Sequence, residues 1–441
     1  RAKNGVLLLS SLVFYGWGEP RYLPVMLVSI LQGYIFGRLI ERFRDTRRVK
    51  LFLVLSVLLS LGTLAYFKYA DFMIANLNAL TGLSVPLLRL ALPVGISFYT
   101  FQILSYTVDV YRGTVPAQRN FIDLAAYIAM FPQLIAGPIV RYSDIASQLE
   151  HRTHSLADIA AGARRFVLGL GKKVLLANVF YELITTFKAS DDRSVLFYWL
   201  YAAACVLNIY FDFSGYSDMA IGLGRIFGFR YLENFDYPYI SASITEFWRR
   251  WHMSLGSWFR DYVYIPLGGN RVSKTKWLRN ILVVWLLTGL WHGAAWNFVL
   301  WGLFFAVFLT AEKLWYGRAL AKTRVFKHIY VLLLVVVSFV LFDANSVGEA
   351  AATIGGLFGA AGVSAVNPIS LYYLRSFAVV FLIGIVGATP LPKRIVEQLG
   401  STRAGAMVVD VLEPLVLVSV LAVSTGYLVD GSFNPFLYFR F

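Results

Sequence analysis

Long apolar runs recur along this chain from residue 5 to residue 429, and they restrict the folds open to it. A helix that crosses a bilayer needs about 20 predominantly apolar residues. The runs are continuous and do not alternate every second residue, which favours helices over the strands of a membrane barrel. We therefore predict an all-α polytopic membrane protein with roughly ten or more transmembrane helices. The candidate segments are 5–16, 22–37, 51–67, 93–110, 121–139, 165–187, 195–213, 281–311 (long enough for a bent or paired element), 328–342, 371–388 and 411–429.

The charged residues predict how the chain is oriented in the membrane. Only 15% of the residues are charged, against about a quarter in soluble domains, and the formal net charge is +15. Loops rich in Lys and Arg largely alternate with loops that lack them, as the positive-inside rule expects. We predict a multi-pass protein with basic loops facing the cytoplasm and anionic lipid. The basic residues are scattered between spans, so we expect no binding of nucleic acid.

The organisation of the chain follows from the same runs. No part of it is typical of a separate soluble domain, so we predict one integral-membrane domain over residues 1–441. The chain begins with Arg1, and we expect natural residues to precede it. By the charge count, residues 430–441 form a tail outside the cytoplasm. The single cysteine, Cys205, excludes an internal disulfide and any cysteine-based metal site.

Two segments between the apolar runs are too hydrophobic for ordinary loops. Segment 225–279 interleaves aromatic residues with arginines, a mixture typical of the headgroup region, where rings lie half-buried and guanidinium groups reach water. Segment 93–140 is broken by prolines and glycines. Irregular backbone at membrane depth is tolerated only where protein or a water-filled cavity surrounds it. We expect both segments to form re-entrant or interfacial pieces around a cavity.

His292 lies in the apolar stretch TGLWHGAAWNFVLWG (288–302), where an ionisable side chain is costly to place in lipid. Two interpretations are open. Gly289 and Gly293 favour close helix packing, with the imidazole as an interhelical hydrogen-bond donor. The alternative is chemistry at membrane depth. His252 favours the alternative, because two histidines in the most aromatic part of the chain could reach one cavity.

The chemistry available to these two histidines is narrow. Neither has a second His, Cys or carboxylate three or four positions further on, so we expect no metal site. The sequence contains no G-x-S-x-G stretch, which argues against a classical serine nucleophile. General-base catalysis fits better, because an imidazole with a pKa of about 6.5 can accept a proton from a hydroxyl.

Other polar residues receive structural interpretations. We expect Asp212 and Asp218 either to face a cavity or, as we favour, to pair with Arg225 or Arg230 at a helix end. Three histidines in basic segments are expected on the solvated surface: His151, His154 and His328.

Seven long motifs follow one another in a fixed order. Two carry the histidines, EFWRRWHMSLGSWFRDYVYIPLGGNR (246–271) and LTGLWHGAAWNFVLWG (287–302). In this order the motifs resemble those of the bacterial branch of the membrane-bound O-acyltransferases, and most of them lie in a core of residues 90–312. Within that family they are most similar to the alginate-acetylating members, with the D-alanyl transfer proteins of lipoteichoic acid synthesis as near relatives. The other five are SFYTFQILSYTVDVYRG (97–113), FPQLIAGPIVRYSDI (131–145), NIYFDFSGYSDMAIGLGRIFGF (208–229), NFDYPY (234–239) and FLYFRF (436–441).

The resemblance implies a fold, a reaction and a location in the bacterial cytoplasmic (inner) membrane. It implies helices around a central funnel, through which an acyl group passes from a cytoplasmic thioester to a hydroxyl outside. The thioester is acetyl-CoA in the acetylating members, used as a substrate with no bound cofactor. The acceptor is a polysaccharide or a partner protein, for which we expect a periplasmic SGNH-type acetyltransferase. His292 matches the signature histidine and His252 the second motif histidine, and we hypothesise that His292 is the general base and that His252 orients the donor or stabilises the oxyanion.

Further residues are assigned by position. We expect Trp291, Asn297, Arg249, Arg250 and Tyr264 to contact the donor, although Arg249 and Arg250 could equally serve as positive-inside anchors. Lys274 and Lys276 are two more cations that could attract the phosphates of coenzyme A or, equally, serve as positive-inside anchors. Aromatic residues of the tail are expected to dock the partner or to pack as an interfacial belt: Phe436, Tyr438, Phe439 and Phe441. A D-alanyl transferase and, among non-enzymes, a transporter of polysaccharide or lipid-linked sugar remain the alternatives.

Overall fold

The structure is a computed structural model that describes residues 2–430 of the chain. Within those residues it contains twenty-one α-helices and no β-strand, which confirms the predicted all-α class. Three π-helical segments, Lys172–Ala177, Arg260–Tyr264 and Glu312–Tyr316, adjoin α-helices, and Pro238–Ile240 forms a 3₁₀ turn. The α-helices are α1 (Ala2–Gly18), α2 (Leu23–Arg42), α3 (Arg48–Lys68), α4 (Ala70–Thr81), α5 (Ile96–Arg112), α6 (Phe121–Ala129), α7 (Phe131–Leu134), α8 (Tyr142–Glu150), α9 (Leu156–Gly171), α10 (Asn178–Ala189), α11 (Val195–Ile226), α12 (Ile244–Arg250), α13 (Met253–Phe259), α14 (Lys274–His292), α15 (Trp296–Ala311), α16 (Gly317–Lys322), α17 (Phe326–Asp343), α18 (Val347–Leu357), α19 (Pro368–Gly387), α20 (Leu391–Gly400) and α21 (Arg403–Val429).

Several helices are able to cross a membrane, as expected of a multi-pass protein. Seven helical runs among residues 2–430 are long and apolar enough to cross a bilayer. They are fewer than the eleven apolar runs of the sequence, because the runs at 5–16 and 93–110 form helices of only 17 residues and other runs are divided. The run 281–311, for example, forms the pair α14 and α15, and 121–139 is broken before Pro132. The spans are Leu23–Arg42, Arg48–Lys68, Val195–Ile226, Trp296–Lys322, Phe326–Asp343, Pro368–Gly387 and Arg403–Val429.

The described residues form two compact units, each with its own core. The first comprises residues 2–163, Ala220–Leu232 and Ser257–Pro266. In it α2 and α3 pack on α5, while α1 packs on α6. The side chains of α5 are almost all buried, so protein covers this helix on nearly every side.

The second unit comprises Arg164–Met219, Glu233–Gly256 and residues 267–430. Its core is strongly aromatic and lies among α10, α11, α12, α15 and α17. Within it α14 packs along α15, and α15 also contacts α12, α17 and α18. Both motif histidines lie in this unit.

The aromatic residues of segment 225–279 correct one expectation. We expect them to lie half-buried at the headgroups, and Trp248, Tyr262 and Tyr264 are partly buried. Phe247 and Trp251, however, are buried in the second unit's core. In the first unit, Trp258 is buried and stacks on Phe101 with ring centroids 3.8 Å apart. Its indole N–H donates a hydrogen bond to the carbonyl of Phe101 at 3.1 Å. These rings therefore build protein cores, because neighbouring helices supply both the apolar surface and the acceptors that lipid headgroups would otherwise supply.

Two glycines set the separation of α14 and α15. A methyl group on Gly289 would overlap the carbonyl oxygen of Phe298, and one on Gly302 would overlap the carbonyl oxygen of Trp285. Small residues at a helix crossing let the two backbones approach closely, and that packing is a main source of helix association in membranes. The close approach predicted from Gly289 and Gly293 is present at Gly289, with Gly302 as its counterpart on α15. Gly293 lies just beyond the end of α14, against the ring of Phe298.

We expect Gly302→Ala to lower the thermal stability of the protein in detergent. The added methyl must push α15 away from the Trp285 carbonyl, and overpacking of this kind costs about 1–3 kcal/mol. Gly426→Ala on α21 is the matched control, because no atom lies within 4 Å of its added methyl. That change should be neutral or stabilising by up to about 1 kcal/mol. Equal melting temperatures for the two variants would contradict the close crossing.

Candidate active site

The structure brings His252 and His292 together. His292 is the last residue of α14, and the chain leaves the helix there because Gly293 is extended. His252 lies between α12 and α13, at a sharp change of direction. The centroids of the two imidazoles are 6.5 Å apart, and the residues are 1% and 5% exposed, respectively. Two side chains forty positions apart in the sequence thus share one buried site.

Aromatic rings enclose the pair. The ring of Phe213 on α11 meets His252 nearly edge-on, with centroids 4.6 Å apart. Trp301 and Phe342 meet His292 in the same way at 4.9 and 5.2 Å. Edge-to-face contacts fix the tilt of each ring as well as its position. These rings bury both imidazoles in largely aromatic surroundings.

His252 is uncharged in this site. Neither ring nitrogen has a hydrogen-bond partner among residues 2–430. Burial lowers the pKa of His252 from 6.5 to about 3, because the charged form cannot be hydrated there. A neutral imidazole has one N–H donor and one nitrogen acceptor. The ring can therefore donate one hydrogen bond to a reacting group without a charge of its own.

The helix that leads to His252 is anchored at its other end by a buried carboxylate. Glu312 accepts hydrogen bonds from the backbone N–H groups of Ile244 and Thr245, at 2.6 and 3.1 Å. The Ser243 side chain caps the same end by accepting from the N–H of Glu246. These contacts satisfy amide groups that every helix start leaves open. They fix α12, and so the approach of the chain to His252.

The residues predicted to contact the donor have different surroundings. Trp291 lies in the site, with its ring centroid 5.6 Å from that of His252 and 4.9 Å from that of His292. Asn297 is buried, and its amide donates to the carbonyl of Ala344 at 2.9 Å, so it ties α15 to the end of α17. Tyr264 lies in the first unit, at the end of the π-helical segment Arg260–Tyr264.

The predicted cations also differ from one another. Arg249 is exposed on α12, as are Lys274 and Lys276 at the start of α14. Arg250 is engaged by Asp236 at 2.9 Å and by Glu246 at 3.0 Å. Paired with two carboxylates, Arg250 has less positive potential to offer a phosphate than Arg249. The tail residues Phe436, Tyr438, Phe439 and Phe441 lie outside the described residues.

The expected partners of the two α11 carboxylates are wrong. Asp218 pairs with Lys172 at 2.6 Å and with Arg165 at 2.9 Å, and Asp212 pairs with Lys173. Arg225 and Arg230 instead bind Asp158, at 3.0 and 3.2 Å. The physical reason is that α9 and its π-helical continuation lie beside α11, so cations distant in sequence are nearer than those at the helix end. The structural interpretation of the carboxylates holds with different partners.

The remaining histidines are not all surface groups. His151 and His154 are exposed, as expected. His328 is partly buried, and its Nδ1 lies 3.1 Å from the carbonyl oxygen of Ser241, to which it donates. No group of three His, Cys, Asp or Glu side chains within residues 2–430 is arranged to hold a metal ion.

Comparison with known proteins shows the family to which the chain belongs. Residues 115–347 match the model of MBOAT, the membrane-bound O-acyltransferase family. The whole chain is 40% identical to the probable alginate O-acetylase AlgI of Azotobacter vinelandii and covers 95% of that protein. The chain belongs to the membrane-bound O-acyltransferase family. This membrane-bound O-acyltransferase is therefore a multi-pass membrane enzyme that transfers an acyl group, and the transporter alternative is set aside.

Two further relatives show the range of the family. A peptidoglycan O-acetyltransferase of Helicobacter pylori is 33% identical over 81% of this chain and 74% of its own length. A teichoic acid D-alanyltransferase of Bacillus subtilis is 32% identical, over 49% of this chain and 58% of its own length. The similarity to acetyltransferases thus extends over more of the chain than the similarity to that D-alanyltransferase.

Sequence reasoning about this O-acyltransferase missed the walls of the site. Phe213, Trp301 and Phe342 come from three different helices, and none was singled out. Trp301 and Phe213 lie inside the quoted motifs, which was a usable signal. Phe342 lies in an apolar run with no motif, so only the packing of α17 against α15 identifies it.

We expect the stability of the protein to fall as the pH is lowered from about 6.5, in part because of His252. The folded protein keeps this ring neutral down to a pKa of about 3, whereas the unfolded chain binds a proton near 6.5. The unfolded state then binds one more proton, which costs at most about 1.4 kcal/mol per pH unit. The variant His252→Gln retains His292, and its melting temperature should fall less than that of the wild type between pH 6.5 and pH 5. Identical slopes for both proteins would contradict a buried neutral His252.

Proposed function

We propose that this protein transfers an acetyl group from cytoplasmic acetyl-CoA to a hydroxyl of an extracytoplasmic polysaccharide, directly or through a partner protein. The observation that carries the proposal is the pair of buried imidazoles, 6.5 Å apart, inside an aromatic enclosure. A hydroxyl and a thioester held between two such rings need only orientation and one proton acceptor. The names of the relatives support acetyl as the acyl group and a polysaccharide as the acceptor.

In the proposed reaction His292 is the general base. A ring nitrogen of His292 takes the proton of the acceptor hydroxyl, while the oxygen attacks the carbonyl carbon of the thioester. The C–S bond of the resulting tetrahedral intermediate then breaks, and the thiolate receives the proton from the His292 imidazolium. The thioester is already activated, so orientation within the enclosure supplies much of the rate acceleration.

His252 has the complementary role in this proposal. The neutral ring donates a hydrogen bond to the oxyanion that forms on the carbonyl oxygen. A donor in an enclosure without water is worth more than the same donor in solution, because the local dielectric constant is low. The low pKa of His252 keeps the ring neutral, so that it can donate this hydrogen bond without carrying a charge.

The proposal places the enzyme in the bacterial cytoplasmic membrane, with acetyl-CoA arriving from the basic side. Arg249, Lys274 and Lys276 are exposed cations of the second unit that could attract the phosphates of coenzyme A. Trp291 then borders the acetyl group, since its ring lies against both imidazoles. D-alanyl transfer from a carrier-protein thioester is the second candidate, and the similarity to the Bacillus subtilis D-alanyltransferase is the observation that supports it.

We expect His292→Ala to reduce acetyl transfer by at least about 100-fold, because general-base catalysis supplies about 10²–10⁴ of the rate. The assay supplies radiolabelled acetyl-CoA to membranes of an alginate-producing host and measures label in the polymer. His154→Ala removes an exposed histidine of the first unit and should leave the rate unchanged. A folded His292→Ala protein with full activity would overturn the base assignment. Label incorporated only from a D-alanyl carrier thioester would select the second candidate.

We also propose that the tail docks an extracytoplasmic acetyltransferase of the SGNH type. The sequence GSFNPFLYFRF ends the chain with four aromatic residues in positions 436–441, and the charge count puts it outside. Deleting residues 436–441 should abolish acetylation of the polymer while the protein still folds and binds acetyl-CoA. The measurements are polymer acetylation in cells and the melting temperature with and without acetyl-CoA. Unchanged polymer acetylation would contradict docking and would leave the tail with a role only in packing at the membrane interface.

A further inference from the structure

The turn that carries His252 has a backbone conformation that residues with a β-carbon avoid. Its φ of +44° lies in the left-handed region, which only three non-glycine residues of the described chain occupy. Such conformations cost free energy and persist only where the surroundings hold them, commonly at functional sites. The question is which contacts hold this one.

Asn234 makes three hydrogen bonds to the two residues that directly follow His252. Its carbonyl oxygen accepts from the backbone N–H of Met253 at 3.0 Å. Its side-chain Oδ1 accepts from the backbone N–H of Ser254 at 3.3 Å and from the Ser254 hydroxyl at 2.8 Å. The start of α13 is therefore fixed by one residue that lies outside α12 and α13.

The register of this contact explains the turn. Two residues beyond Asn234, the N–H of Asp236 donates to the carbonyl of Arg250 at 2.9 Å. Between Asn234 and Asp236 there is one residue, Phe235. Between their partners, Arg250 and Met253, there are two, Trp251 and His252. The extra residue must turn out of line, as in a β-bulge, and this re-aims its side chain. His252 is that extra residue, because its φ is positive whereas Trp251 is extended.

Asn234 is itself held by the helix that contacts the imidazole. Its Nδ2 donates to the hydroxyl of Ser217 on α11 at 3.0 Å, and the residue is only 1% exposed. Ser217 lies one helical turn from Phe213, whose ring packs on His252. The wall of the site and the clamp on the turn are thus tied to the same stretch of α11.

We propose that Asn234 is a positioning residue for the acyl-transfer site, acting by holding His252 in its left-handed conformation beside His292. No hydrogen bond within residues 2–430 orients the ring of His252 directly, so its placement depends on the backbone and on the ring contacts. The inference rests on the proposed function, in which this ring faces the thioester carbonyl. Asn234 touches neither substrate nor reacting atom in this assignment.

The first test separates catalysis from binding and from folding. Asn234→Ala should lower kcat about 10- to 100-fold, because a misplacement of about 1 Å in a catalytic group costs this much. The KM for acetyl-CoA should change by less than about twofold, since Asn234 does not contact the donor. Asn234→Asp keeps the oxygen that accepts from Ser254 and should recover much of the lost rate. Proteoliposomes with radiolabelled acetyl-CoA and alginate oligosaccharides provide the assay.

A buried asparagine elsewhere in the unit provides the matched control. Asn208 lies on α11, and its amide donates to the carbonyl of Ala177 at 2.7 Å. Asn208→Ala loses the same side chain and a buried hydrogen bond, so it should lower the melting temperature and leave kcat unchanged. Equal losses of kcat in Asn208→Ala and Asn234→Ala would overturn the proposal, because both would then reflect general loosening.

The decisive measurement is a double-mutant cycle with His252→Gln. If Asn234 acts through His252, Asn234→Ala should cost less than about threefold in kcat once His252 is replaced. A loss as large as in the wild-type background would overturn the positioning role while leaving the proposed function standing. Full activity of His252→Gln would overturn the role of His252 and the inference with it. Should Asn234→Ala fail to fold, Ser217→Ala, which removes the partner of Nδ2, enters the same cycle with the same expected non-additivity.

Discussion

Backbone hydrogen bonding without water is the constraint on which the rest of this structure depends. In a bilayer every amide and carbonyl must find a partner inside the protein, so helices are the default and each interruption needs specific support. Both histidines lie at interruptions. His292 ends α14 where the chain turns into α15, and His252 lies between α12 and α13. The site is therefore built where the helices stop, at places where other residues must supply the missing bonds.

That support comes from a small number of buried polar groups. Glu312 satisfies the start of α12, Asn234 satisfies the start of α13, and Asn297 binds the carbonyl at the end of α17. Each of these side chains is almost fully buried. A buried polar group is costly unless it is hydrogen-bonded, so these positions specify one arrangement of the short helices and disfavour others. Irregular backbone around the two histidines is stable because the same few side chains hold it.

Aromatic packing and these polar contacts have different roles. The polar groups fix the backbone, whereas rings from α11, α15 and α17 fix the tilt of the imidazoles. The close crossing of α14 and α15 at Gly289 and Gly302 lets Trp301 reach His292. In the sequence, the glycines and the histidine of one stretch supported competing explanations of that stretch: helix packing and chemistry. In the structure they are complementary, since the packing places the ring.

The apolar runs by themselves determined the all-α, multi-pass class, because about 20 continuous apolar residues leave a segment no other stable state in a membrane. The motifs likewise marked both histidines. Only the tertiary structure decided what depends on contacts between distant residues. Examples are the 6.5 Å approach of His252 to His292, the pairing of Asp218 with Lys172 and Arg165, and the contact of Asn234 with the turn at His252. Periodicity reports which face of a helix is apolar, but not which neighbour covers that face. That choice is made by the packing of the whole unit.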